Sequence, residues 1–234
     1  MGRERTNLLL LPGSLCDERV WQNQVEALAD LATITVPSFH GLASLGAMAE
    51  AALAAAPTTF ALAGFSMGGR VALEMVRRAP ARIERLALVD ASIHPIAPGE
   101  AERRQPQIDM AREQGMASLA AWWNPRIVHP SRTGDAALME LLAAMAVTFS
   151  PDDYAAEVGA LLTRPDAREV VGTIAVPTLV LAGRDDPLST PERNAAIAAE
   201  IPGSKLVLLD GCAHFPMLEN PAAVTAALRA WLAA

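Results

Sequence analysis

Ser66 stands in Gly64-Phe65-Ser66-Met67-Gly68-Gly69, which fits the pattern G-x-S-x-G. In that pattern a serine occupies a sharp turn between a strand and a helix, and its hydroxyl is lifted clear of the fold towards a substrate carbonyl. Small residues are required at Gly64 and Gly68, where a side chain would collide with the neighbouring strand or helix. The flanks have the right character. Thr58–Ala63 is a short apolar run with β-branched residues, opened by Pro57, and reads as a buried strand. Arg70–Arg78 carries apolar residues at 71, 72, 75 and 76, one helical face, and ends in basic residues before Pro80.

A serine hydroxyl is a weak nucleophile at neutral pH. It needs an imidazole to take its proton, a carboxylate to orient that imidazole, and donors for the oxyanion formed on attack. His214 is the candidate base, on a loop after the apolar run Lys205–Leu209 and before the last helix; loops at the carboxyl ends of parallel strands are where such sheets place their sites. His40, His94 and His129 are weaker candidates. For the acid, a strand ends at Gly183 and is followed by Asp185 and Asp186, which residue chemistry alone does not separate; Asp90, closing Leu86–Asp90, is a third candidate. Oxyanion donors are expected from the backbone N–H of Met67, at a helix N-terminus that favours negative charge, and from Ser14 in Leu11-Pro12-Gly13-Ser14-Leu15-Cys16, with Leu15 in reserve.

Parallel strands joined by helices would position these loops. Strand-like runs occur at 8–11, 33–38, 58–63, 85–90, 178–182 and 205–209, mostly separated by helical patterns at 22–29, 47–56, 70–79, 192–200 and 221–233. This alternation predicts an α/β fold, a doubly wound, mainly parallel sheet of about six strands covered on both faces. Thr190-Pro191 and Asn220-Pro221 each place a capping residue before a proline at a first helical position, and Ser150-Pro151-Asp152-Asp153 does so mid-chain. Between about 92 and 174 there are helical patterns and no convincing strand, too long a stretch for a simple crossover. It is expected to be a helical cap inserted into a single domain covering residues 1–234.

With these features in place, the chain resembles the α/β-hydrolase-fold serine hydrolases of the small carboxylesterase and lactonase kind. The matches are Leu11-Pro12-Gly13-Ser14 with Trp21 downstream, the Gly64–Gly69 elbow, Gly183-x-x-Asp186, and Gly211-x-x-His214 followed by Glu219-Asn220-Pro221. The order Ser, Asp, His is also that of the family. The resemblance implies Asp186 as the acid, three residues after Gly183. It implies a cofactor-free, metal-free hydrolase of carboxylic esters or lactones, with Ser66, Asp186 and His214 as a triad. The chain departs from the family at Pro12, where histidine is common, which leaves the backbone donor intact. It also lacks the antiparallel strands that usually precede the first parallel strand.

The same triad serves carbon–carbon bond hydrolysis, elimination, perhydrolysis and acyl transfer, and the same fold serves ligand receptors, so fold and triad alone do not set the reaction. Substrate choice is expected from the insertion, where Trp122 and Trp123 are candidate pocket walls beside Leu15, Phe65 and Met67. Met110, Met116, Met139 and Met145 have the spacing of core packing; Arg70, Arg126 and Arg132 are candidate carboxylate clamps. The formal net charge of −7 and the absence of any basic run longer than two residues argue against a nucleic-acid partner. Leu8–Leu11 before Pro12 is too short for a membrane span or a signal-peptide core, so a cytoplasmic protein without a membrane partner is expected. Cys16 and Cys212 make neither a disulfide framework nor a metal-ligand pattern.

Overall fold

Leu8–Leu11 illustrates how the sheet is built. Successive strand residues face opposite ways, and here both faces are apolar: Leu9 and Leu11 enter one buried cluster, Leu8 and Leu10 the other. A strand of this kind needs a layer of helices on each side. The computed structural model describes residues 5–234, and its strands are β1 (Thr6–Leu11), β2 (Ala32–Thr35), β3 (Phe60–Phe65), β4 (Ile83–Val89), β5 (Thr178–Gly183) and β6 (Lys205–Leu209). They form a sheet in the order β2-β1-β3-β4-β5-β6, parallel at every pairing. The expected run at 33–38 is shorter than its apolar pattern: pairing ends at Leu9↔Thr35, and Pro37, without an N–H, cannot extend a ladder.

The crossover helices are α1 (Gln22–Ala27), α2 (Leu45–Ala55) and α3 (Met67–Arg78). Between β4 and β5 come α4 (Glu100–Gln114), α5 (Met116–Ile127), α6 (Ala136–Ala146), α7 (Pro151–Leu162) and α8 (Arg168–Val171); α9 (Pro191–Glu200), α10 (Pro216–Glu219) and α11 (Pro221–Ala233) complete the chain. Residues of α2, α3, α8 and α9 pack with Leu62, Leu86, Leu88 and Val180 on one face. Residues of α11 and the Val20-Trp21 turn pack with Ala61, Ala63, Leu179 and Leu181 on the other. The helical pattern at 100–121 is broken at Gly115, whose φ of 85° ends α4 and starts α5. Ser150 and Asp153 form a full capping box on α7, and Asn220 caps α11. Thr190 does not cap α9 with its side chain; the turn is tied instead by Asn194, whose amide donates to the Ser189 and Thr190 carbonyls.

α4, α5, α6 and α7 also bury a cluster of their own around Leu119, Phe149, Tyr154 and Val158, and Leu15 from the loop after β1 reaches into it. No helix among the described residues is long and apolar enough to cross a membrane.

At the junction of β3 and α3 the space is closed. A Cβ on Gly68 would stand 2.5 Å from the carbonyl oxygens of Leu11 and Pro12, and one on Gly64 would strike the Gly68 backbone. Gly68→Ala therefore must push β1 and α3 apart, at a cost of about 1–3 kcal/mol. We expect urea denaturation to show that loss, with Gly159→Ala in α7, where the added methyl meets nothing within 4 Å, as the control that should be as stable as the wild type or up to about 1 kcal/mol more so.

Candidate active site

Ser66 lies between the last residue of β3 and the first of α3, at φ 51° and ψ −112°. A left-handed φ is costly for a residue with a Cβ; it is held here because the Ser66 N–H donates to the Val89 carbonyl at 2.9 Å while its own carbonyl starts the α3 ladder. The turn sets Oγ 3.0 Å from Nε2 of His214. Nδ1 of the same ring lies 2.8 Å from Oδ2 of Asp186, whose Oδ1 accepts from the Leu188 N–H at 2.7 Å. Burial alone would raise the Asp186 carboxyl. The His214 ring and the donors around it win, holding it down at about 2.

Asp90 sits behind this chain. Its Oδ1 accepts from the Gly183 N–H at 3.0 Å, and burial, with Asp186 beside it, pushes its carboxyl well above the ordinary carboxylate range. Two carboxylates this close do not both ionise; Asp186 keeps the charge and Asp90 the proton. Asp185 turns outward, 3.5 Å from Nε2 of His129. Ligand atoms of Asp90, Asp186 and His214 lie within 4.8 Å of one another, a separation that suits a cation. Both His214 nitrogens are engaged, Nδ1 with Asp186 and Nε2 with Ser66.

The His214 loop is fixed by groups that the sequence pattern does not single out. Glu219, buried in α10, accepts from the N–H groups of Ala213, Phe215 and His129. The His214 N–H donates to the Ile127 carbonyl, at the end of α5, at 2.9 Å. On the other side, the Trp21 indole donates to the Leu11 carbonyl and anchors the loop after β1. In that loop Leu15 adopts φ 56°. Its N–H and the Ser14 hydroxyl both donate to Oε2 of Glu157 on α7, at 3.0 and 2.6 Å. Leu15 is thus committed as a donor, whereas the Ser14 and Met67 N–H groups donate to no acceptor among the described residues. Glu157 is 2% exposed, and burial pushes its carboxyl up to about 7 against those two donors. Its signal in the sequence is a carboxylate on the apolar stripe 154, 157, 158, 161 of a helix.

Above Ser66 opens a cavity of about 790 Å³, lined by Ser14, Leu15, Phe65, Met67, Trp123 and His214 among others. Phe65 tilts against the His214 ring at 5.1 Å. The tryptophan pair divides. Trp123 lines the cavity and Trp122 does not; Trp122 stacks on the Trp123 ring, centroids 5.8 Å apart, with the Arg126 guanidinium 4.4 Å from its own ring centroid. Of the three candidate arginines, Arg70 lines the cavity; Arg126 is taken by Trp122, and Arg132 by Asp135 and the Glu219 carbonyl. Cys16 lines it too, its thiol pushed up by burial and by Glu157; Cys212 does not, and both thiols are free. Met116 and Met145 are core.

A parallel sheet with a serine elbow after β3, an acid after β5 and a histidine after β6 defines a hydrolase of the α/β class. The model of the alpha/beta hydrolase family matches residues 8–228, and the chain belongs to that family as an esterase-like member. It is similar to the pimeloyl-[acyl-carrier protein] methyl ester esterase of Nitrosospira multiformis, 25% identical over 93% of this chain and 91% of that one. It is similar to 3-oxoadipate enol-lactonase 2 of Acinetobacter baylyi, 27% identical over 71% of this chain and 61% of that one. Among solved structures, a thermophilic esterase from Thermogutta terrifontis, with malate bound, superposes with a TM-score of 0.88 at 30% identity, covering 97% of this chain and 89% of that one.

Glu157 makes stability depend on pH. Its folded value of about 7 lies above the ordinary 4.5, so between those values the folded chain holds a proton that the unfolded chain has lost, and stability falls as pH rises. The charged form carries its full penalty above pH 7, on the order of 3 kcal/mol. Glu157→Gln keeps an acceptor for Ser14 and Leu15 without the charge. We expect the melting temperature of the wild type to drop relative to that of Glu157→Gln from pH 4.5 to 7 and to run parallel above it.

Proposed function

We propose that this protein is a cofactor-independent serine hydrolase that cleaves carboxylic esters or lactones of small molecules through an acyl-enzyme on Ser66. One observation carries this reading: the unbroken relay from Ser66 Oγ through both nitrogens of His214 to Asp186, opening into the cavity beside two uncommitted N–H groups. The likeness to a methyl ester esterase and to an enol-lactonase supports it, since both named activities break an acyl–oxygen bond.

In this mechanism His214 Nε2 takes the Ser66 proton as Oγ attacks the carbonyl carbon. The charge that develops on the carbonyl oxygen falls to the Ser14 and Met67 N–H groups, at the positive end of α3. The ionised Asp186 holds the ring orientation and stabilises the imidazolium. Collapse expels the alcohol, or opens the lactone, with the proton from His214. Water then gives its proton to His214 and attacks the acyl carbon, releasing the acid and restoring Ser66. We assign to α4–α7 the role of a cap within a single domain, since Trp123, Leu142 and Tyr154 line the cavity from that segment. The free thiols of Cys16 and Cys212 support a reducing, cytoplasmic location.

A fluorophosphonate probe is expected to label the wild type and not Ser66→Ala, which should also lose p-nitrophenyl ester turnover by a factor of about 10⁴ or more. Labelling that survives the substitution would move the nucleophile elsewhere. Asp186→Asn should cost about 10⁴ in kcat, whereas Asp90→Asn, which keeps a donor in place of a protonated carboxyl, should cost less than about tenfold. The reverse ranking would make Asp90 the acid.

A further inference from the structure

One wall of the cavity is far more basic than the mechanism requires. Arg70, Arg103, Arg104, Arg164 and Arg193 all line it, in a chain whose formal charge is −7. Glu100 is the carboxylate among them, and it is already shared. Arg164 grips it with two bonds, at 2.8 and 2.6 Å, and Arg104 adds a third at 3.2 Å. Arg164 also ties the wall together through the carbonyls of His94, Pro95 and Leu161. Arg70 donates to the same His94 carbonyl at 3.0 Å and Arg193 to the Leu188 carbonyl at 3.1 Å. Neither has a carboxylate within ion-pair distance among the described residues. Burial and the charges of Arg164, Arg104 and Arg193 push the Arg70 guanidinium down to about 9. Arg70, Arg104 and Arg164 are partly or fully buried while Arg103 and Arg193 stand exposed at the rim, and like charges held together in this way cost folding free energy that a bound anion recovers.

The place of Arg70 gives the wall its meaning. It follows Ser66 by four residues, in the first turn of α3, and lines the same cavity as Ser66. Its free donors therefore face the space that a substrate acylating Ser66 must fill. A guanidinium offers paired N–H groups in a planar fork that matches a carboxylate. Trp123, Ile127 and Leu142, which also line the cavity and belong to one apolar cluster, suit carbon chain.

We infer that this wall is a carboxylate subsite, and that the ester or lactone cleaved at Ser66 carries a free carboxylate held by Arg70 with help from Arg193. The inference rests on the hydrolase reading for the identity of the reacting group and on the arginine wall for the second charge. Arg164, committed to carbonyls and to Glu100, positions the wall and does not bind.

Monomethyl and dimethyl esters of succinate, glutarate and adipate test it. In the wild type, kcat/KM for the best monomethyl ester should exceed that for its dimethyl counterpart at least about tenfold, and the preference should shrink with added salt. Arg70→Gln and Arg193→Gln should each lower that ratio about tenfold, with melting temperatures no lower than that of the wild type as the check on folding. A wild type that hydrolyses the diesters as well as or better than the monoesters, or a ratio unmoved in Arg70→Gln, overturns the subsite and leaves the hydrolase reading standing. Calorimetric titration of glutarate into the protein reads the subsite without any chemistry. Should Ser66 neither label nor turn over any ester, the hydrolase reading falls. The subsite then stands if glutarate binds and Arg70→Gln weakens binding about tenfold, and falls if glutarate does not bind.

Discussion

The left-handed backbone at Ser66 is the constraint to which the rest of the site answers. A serine at φ 51° persists only where its surroundings over-determine it. β3 fixes the entry, α3 fixes the exit, and the Val89 carbonyl takes the N–H between them. The close approach of α3 to β1 over Gly68 brings the loop after β1 beside the helix N-terminus, so one packing contact places both Ser66 and the N–H groups of Ser14 and Met67. The strain thus sits at a junction of three central strands, where the core is too dense to relax it.

The second organising feature is the buried negative charge of Asp186. Asp186 is 3% exposed and stays ionised because a ring, a backbone N–H and a protonated neighbour are all turned towards it. Burial acts on Asp90, Asp186 and Glu157 alike, and the outcome differs with the partners. Asp186 has an imidazole and falls; Asp90 has a carboxylate beside it and rises. Glu157 has two neutral donors and stops near 7. Three carboxyls in one neighbourhood therefore take three protonation behaviours from local contacts alone.

The helices between β4 and β5 do more than cover the cavity. They hold both loops of the site: α5 accepts the His214 N–H at Ile127, His129 donates to Glu219, and α7 grips Ser14 and Leu15 through Glu157. Movement of these helices would reach the histidine and the oxyanion donors together. The segment that supplies the pocket walls is thereby coupled to the catalytic geometry, through hydrogen bonds rather than through apolar contact alone.

Much of this was legible in the chain itself, because local physics is written locally. Alternating apolar strands and helices specified a parallel sheet with two helical layers, and a glycine-bounded serine between strand and helix could serve only a tight elbow. Loops at the ends of β5 and β6 carried an aspartate and a histidine in the expected order. Element ends were less legible: Pro37 cut β2 short, Gly115 split a helical stretch, and Thr190 left its cap unmade. Residue chemistry left three aspartates open and the family pattern favoured Asp186; the tertiary structure sets Asp186 against His214, Asp90 behind it and Asp185 towards His129. It alone put Trp123 on the cavity with Trp122 stacked against it, buried Glu157 against a loop more than a hundred residues away, and gathered arginines from four separate segments around one cavity. Those outcomes depend on distances between parts of the chain remote in sequence, and no residue carries that information by itself.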